Sequence, residues 1–163
     1  MAVRVALIAD THLPRGRRRL PAQCVELISQ AEVVIHAGDF TTVQAWAEIT
    51  SLGPPLHAVH GNVDEPALRA QLPGRVEIEI ESIRIGIVHD PGPRSSRVER
   101  LRAWFPKADC VVFGHSHLPE HDRERDLVLF NPGSPTERRR APTHSMGIAE
   151  LESGEVRFRH IPL

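Results

Sequence analysis

The chain has no tyrosine, and aromatic residues make up only 4% of its 163 positions. So few rings leave little to stack on bases, and Trp46 and Trp104 fall in helix-like segments, so specific recognition of DNA or RNA has no support. Cysteine is nearly as scarce: Cys24 and Cys110 show no disulfide-framework spacing and are read as buried thiols. No apolar run reaches the length of a membrane span, and the first one ends at Asp10 without a cleavage-like site, so a cytoplasmic location is expected. Neither charge sign is in excess, with 20 basic and 21 acidic side chains, which removes any global field toward polyanions or membranes. There is no Gly-x-Ser-x-Gly elbow, Walker-type loop or His-Glu-x-x-His helix, which argues against serine hydrolases, P-loop enzymes and zincin proteases.

What is present is one domain's worth of alternating strands and helices. Apolar runs predict strands over 3–9, 32–36 and 56–60, followed in turn by helices over 21–30, 41–51 and 64–71. Continuous hydrophobicity in Val33-Val34-Ile35 and Val111-Val112-Phe113 fits strands covered on both faces, as parallel sheets with helical crossovers require. Period-two alternation in Arg75-Val76-Glu77-Ile78-Glu79-Ile80 marks a strand with one wet face, and Ser82 leads into a hairpin partner ending near His89. A helix is predicted over 94–105, and 127–130, 145–151 and 155–161 read as antiparallel strands.

Polar clusters follow the apolar runs: Asp10-Thr11-His12, Gly38-Asp39, Gly61-Asn62, His89-Asp90 and Gly114-His115-Ser116-His117. In open α/β sheets the loops at strand carboxyl ends converge on one crevice. Carboxylates, imidazoles and one amide, without a thiolate, form a ligand set suited to Mn, Fe, Zn, Co or Ni. Their number exceeds a tetrahedral site, and one aspartate can bridge two cations about 3.5–4 Å apart; Asp39 is the expected bridge.

Asp10-x-His12, Gly38-Asp39, Gly61-Asn62-x-Asp64, His89 and Gly114-His115-x-His117, followed by Asn131-Pro132-Gly133-Ser134, resemble the calcineurin-like metallophosphoesterases. The pattern is most similar to the small bacterial and archaeal YfcE or MJ0936-like phosphodiesterases. The resemblance implies a four-layer αββα sandwich, with two mixed β-sheets flanked by helices. It also implies a metal-dependent phosphoric ester hydrolase with two divalent ions, manganese foremost. Asp10, His12, Asp39 and His117 would hold one ion; Asp39, Asn62, His89 and His115 would hold the other. Asp39, Asn62 and His89 would thus belong to the catalytic centre. In-line attack on phosphorus by a metal-bridging hydroxide is the implied step. Asp64 is expected as an outer carboxylate orienting a ligand histidine, or as a helix cap.

Two departures matter. Many relatives carry a histidine where this chain has Val63, and valine cannot protonate a leaving group; a preference for leaving groups of low pKa follows. Relatives commonly read His-Gly-His where this chain has His89-Asp90-Pro91, and proline stiffens that loop. Arginines follow several site loops. Most such runs stay solvated, but Arg15 and Arg94 are the candidates for contact with a substrate phosphate, of a nucleotide or another small ester. The terminal strands leave room for a homo-oligomer. The rival reading is a non-catalytic scaffold like the trafficking subunit Vps29, which shares this fold and parts of these motifs.

Overall fold

A computed structural model describes all 163 residues. The strands form two five-stranded sheets. The first contains β1 (Val3–Ile8), β2 (Val33–His36), β3 (Leu56–Ala58), β9 (Ser145–Glu152) and β10 (Glu155–Pro162), in the order β10-β9-β1-β2-β3. The second contains β4 (Arg75–Ile80), β5 (Ile83–Val88), β6 (Cys110–Val112), β7 (Glu120–Glu124) and β8 (Leu127–Asn131), in the order β4-β5-β6-β8-β7. Four helices join them: α1 (Ala22–Ser29), α2 (Val43–Thr50), α3 (Pro66–Arg69) and α4 (Arg97–Trp104).

Side-chain alternation along the strands builds the layers. Val5 and Leu7 of β1 point to the same core as Ile83, Ile85 and Ile87 of β5, Val112 of β6 and Phe130 of β8, which fixes the two sheets face to face. Ala6 and Ile8 point the other way, onto Cys24 and Ile28 of α1 and Ala45 and Ile49 of α2. Val111, Leu127 and Leu129 cover Val98 and Leu101 of α4 on the far side of the second sheet. This is the αββα sandwich. Both cysteines are buried and free, and burial pushes each thiol up to about 12.

β1, β2 and β3 pair in parallel, as do β5, β6 and β8, so the loops after these strands share one pole within each sheet. One expectation is corrected: 127–130, read as antiparallel, runs parallel to β6 and antiparallel only to β7. The sequence of β7, Glu-His-Asp-Arg-Glu, has no apolar alternation and gives no strand signal; it pairs at a solvated sheet edge. The helices are shorter than the patterns suggest. Thr42 caps α2, its side chain accepting the Ala45 N–H, and α4 runs over Arg97–Trp104 within the predicted 94–105.

No helix is long and apolar enough to cross a membrane.

Candidate metal centre

The strand ends bring Asp10, His12, Asp39, His89 and His117 together, all buried. Asp10, His12, Asp39, His115 and His117 adopt positive φ, between 45° and 75°, a region that non-glycine residues rarely visit. Such strain persists only where surrounding contacts over-determine it. Those contacts are visible. Asp64 accepts N–H groups from Gly61 at 2.7 Å, Asp39 at 3.2 Å and Thr41 at 2.7 Å, pinning the loops after β2 and β3 to each other. It hydrogen-bonds to no histidine, contrary to the expected role, and it caps no helix; its effect on the centre runs through the backbone of Asp39.

Gly61 and Gly114 are required by close approach. A Cβ at Gly61 would lie 2.0 Å from Asp39 Oδ1, and one at Gly114 would lie 2.7 Å from Asp10 Oδ2. The Gly114–His117 turn is held by buried Asn131, whose amide donates to the Gly114 carbonyl and the Ser116 hydroxyl, each at 3.1 Å. Ser134 donates to the Asp10 carbonyl at 2.7 Å, and Thr136 donates to the Thr11 carbonyl at 2.6 Å. The Asn-Pro-Gly-Ser loop is thereby the strap that fixes both ligand turns.

Asp10 Oδ1 lies 3.9, 3.8 and 3.5 Å from Nε2 of His12, His89 and His117 respectively. Asp39 Oδ2 lies 3.0 Å from His89 Nε2 and 3.5 Å from His12 Nε2. The ligating atoms form two compact groups, Asp10–His12–His117 and Asp10–Asp39–His89. Asp10, rather than Asp39, is common to both. Asp39 still reaches histidines of each group. Asn62 and His115 stand outside these buried groups: Asn62 Oδ1 lies 3.0 Å from His89 Nε2 and 3.2 Å from His115 Nδ1, and the His115 side chain is 44% exposed.

The donor set fits divalent cations. Asp10 Oδ1, His12 Nε2 and His117 Nε2 are buried without hydrogen-bond partners, although a buried polar atom ordinarily has one. The His117 Nδ1–H donates to the Glu137 carbonyl, so Nε2 turns a lone pair toward the Asp10 carboxylate. Burial keeps His117 below its ordinary pKa, and the opposing field of Asp10 does not overcome it. A lone pair facing a carboxylate at 3.5 Å is repulsive unless a positive charge lies between them.

His89 is oriented in the same way. Its Nδ1–H donates to the Ala37 carbonyl at 2.8 Å, while Nε2 faces Asp39. Burial works against charge, yet the Asp39 hydrogen bond and the fields of Asp10 and Asp39 raise its pKa. Burial likewise resists charge on Asp39, but His89 and the Val63 N–H hold its carboxyl below the usual range.

His36 is drawn into the frame rather than the ligand set. It accepts the Gly38 N–H at Nδ1, faces the Thr11 hydroxyl with Nε2 at 3.0 Å, and stacks on Phe40. Burial first, then the neighbouring His89, keep it well below its ordinary pKa.

The arginine candidates are occupied. Arg15 pairs with Glu137 at 3.0 Å, and Arg94 with Glu120 at 3.3 Å. A cleft of about 230 Å³ opens beside the centre, bordered by His60, Asn62, Arg69, Gly74, His89 and Asp90. A larger cavity of about 450 Å³, between the 13–20 loop and α1 and α2, shares no residue with the ligand set. Glu137 was not anticipated from the sequence; its only signal is its place three residues after Ser134.

The profile of the calcineurin-like phosphoesterase superfamily domain matches residues 3–154. The chain is 33% identical over 134 residues to a probable metallophosphoesterase of Methanothermobacter thermautotrophicus, covering 81% of this chain and 77% of that protein. It is 25% identical over 146 residues to a phosphodiesterase of Methanocaldococcus jannaschii, covering 80% and 83%. Among solved structures, zinc-complexed Vps29 from Entamoeba histolytica shares the fold, with a TM-score of 0.77 and 20% identity over 98% of this chain and 99% of that one. The chain belongs to the calcineurin-like phosphoesterase superfamily.

Proposed function

We propose that the protein is a single-domain cytoplasmic phosphodiesterase dependent on two divalent cations, with manganese as the first choice. The observation that carries this reading is the convergence of three buried, unpartnered ligand atoms, Asp10 Oδ1, His12 Nε2 and His117 Nε2, on one point. In a metallophosphoesterase family that includes a named phosphodiesterase, such a cluster supports phosphate-ester hydrolysis.

Asp10, His12, Asp39 and His117 would hold one ion; Asp39, Asn62, His89 and His115 would hold the other, with Asp10 also within reach. When bound, such ions supply Lewis acidity toward phosphoryl oxygens and lower the pKa of water toward neutrality. The protein's share is orientation. The Ala37 carbonyl fixes His89 with Nε2 inward, the Glu137 carbonyl does the same for His117, and the Val63 N–H holds Asp39 Oδ1 at 3.0 Å.

The cleft beside His89 would take the ester substituents. Arg69 and His60 border it, and Arg69, unlike Arg15 and Arg94, has no carboxylate partner, so it is the basic side chain free to meet an anionic substrate. Val63 is 42% exposed and offers no proton, which forfeits a contribution commonly worth about 10²–10⁴-fold.

The test is chelator-sensitive hydrolysis of bis(p-nitrophenyl) phosphate, set beside an alkyl phosphodiester. Turnover confined to the nitrophenyl leaving group is expected; equal rates on both would refute the leaving-group argument. Arg69→Ala should raise KM about fivefold with kcat unchanged, the value of a solvent-screened contact of about 1 kcal/mol. An unchanged KM removes Arg69 from the substrate site. The scaffold reading draws on the shared fold with Vps29. Metal-loaded protein that turns over no phosphodiester would favour it.

A further inference from the structure

The carboxylate of Glu137 faces the metal centre from behind its histidines. Oε2 lies 3.6 Å from His12 Nδ1 and 4.0 Å from His117 Nδ1, and it is buried without a hydrogen-bond partner. The backbone carbonyl of the same residue accepts the His117 Nδ1–H. Oε1 meets Arg15 at 3.0 Å and Arg18 at 3.7 Å, and Arg18 also reaches the His12 carbonyl at 3.4 Å. The backbone N–H of Glu137 donates to Ser134 Oγ at 2.9 Å, so the strap that ties down Asp10 also places this carboxylate.

We propose that Glu137 is a positioning residue that, through its carboxylate and its carbonyl, keeps the ring proton of His12 and His117 on Nδ1 and leaves both Nε2 atoms as free ligands. A neutral imidazole carries one proton, and the nitrogen facing a negative oxygen retains it. The partner of a ligand histidine thereby sets its orientation and basicity, and its loss typically costs about 10–100-fold in metal affinity. Arg15 and Arg18 act one step further out. They neutralise a partly buried carboxylate behind His12 and His117, which gives Arg15 a use other than direct phosphate contact.

This rests on the reading of Asp10, His12 and His117 as a metal-holding group, and the two are separable by experiment. Nitrogen-15 NMR of the metal-free protein reports each histidine's tautomer. His12 and His117 are expected as Nδ1–H forms, and finding Nε2–H on either ring overturns the proposal without any variant. Glu137→Gln keeps the size and the backbone carbonyl but removes the charge. Titrated with Mn²⁺ alone and followed by calorimetry, it is expected to bind about 10–100-fold more weakly, with His12 shifting toward Nε2–H. A merely spatial role for Glu137 would leave both readouts at wild-type values, and that result also overturns the proposal. Failure of the wild-type protein to bind Mn²⁺, with both rings in the Nδ1–H form, would instead overturn the metal reading.

Discussion

Replacing Gly61 with alanine puts one methyl group into the tightest point of the site. The added Cβ would lie 2.0 Å from Asp39 Oδ1, 2.6 Å from Asp39 N and 2.7 Å from Asp39 Cγ. Two of those atoms belong to a carboxylate already held by His89 and the Val63 N–H, and the third is backbone, so no flexible side chain can swing aside. Relief requires the two loops to part by about 1 Å, which strains the Gly61 N–H bond to Asp64 at 2.7 Å. Overpacking of this kind costs about 1–3 kcal/mol, or roughly 3–9 °C in Tm for a chain of this size. Because Asp39 is the atom group displaced, Mn²⁺ affinity should fall by at least about tenfold as well. Gly74→Ala is the control, since its Cβ would meet nothing nearer than His60 Nε2 at 3.4 Å. The assay is thermal melting and calorimetric metal titration of both variants. A Gly61→Ala protein with the Tm and metal affinity of the wild type would refute the packing argument.

Cys24 and Cys110 should resist a thiol reagent in native protein near neutral pH and react fully in denaturant, because burial holds both thiols near 12; rapid native reaction of either would contradict their placement. Burial, with His121 adding to it, keeps His160 below its ordinary pKa while it stacks on Phe130 and faces the Asn131 carbonyl at 2.7 Å. The unfolded chain then binds the extra proton first, so this residue's contribution to stability is lost as pH falls below about 6.5. Tm of metal-free His160→Gln should therefore decline less steeply than wild type between about pH 7 and pH 5, and an identical slope would contradict that assignment.

The parts of the molecule legible in the sequence are those governed by apolar pattern and by clustered ligand residues. Val33-Val34-Ile35 and Val111-Val112-Phe113 are buried on both faces because helices cover one side and the second sheet covers the other, and their continuous hydrophobicity carries that information. β7 was invisible because an edge strand with exposed side chains needs no apolar residue, only a neighbour to pair with. In the site, Asp10, His12, Asp39, His89 and His117 announce themselves by position after strands. The partnerships behind them do not. Glu137 meets His12 across 125 residues of chain, and Asp64 acts through backbone N–H groups of three other residues; neither contact leaves a local spacing to read. The occupation of Arg15 and Arg94 by Glu137 and Glu120 is equally nonlocal.

Metal analysis of reconstituted protein, run beside hydrolysis of bis(p-nitrophenyl) phosphate, bears most directly on whether these carboxylates and imidazoles exist to hold cations. Native protein should retain about two equivalents of Mn²⁺ per chain and turn over the diester, and Asp39→Asn should lose both metal and turnover. Native protein that retains no cation, or an Asp39→Asn variant that keeps both ions and full activity, would contradict the account.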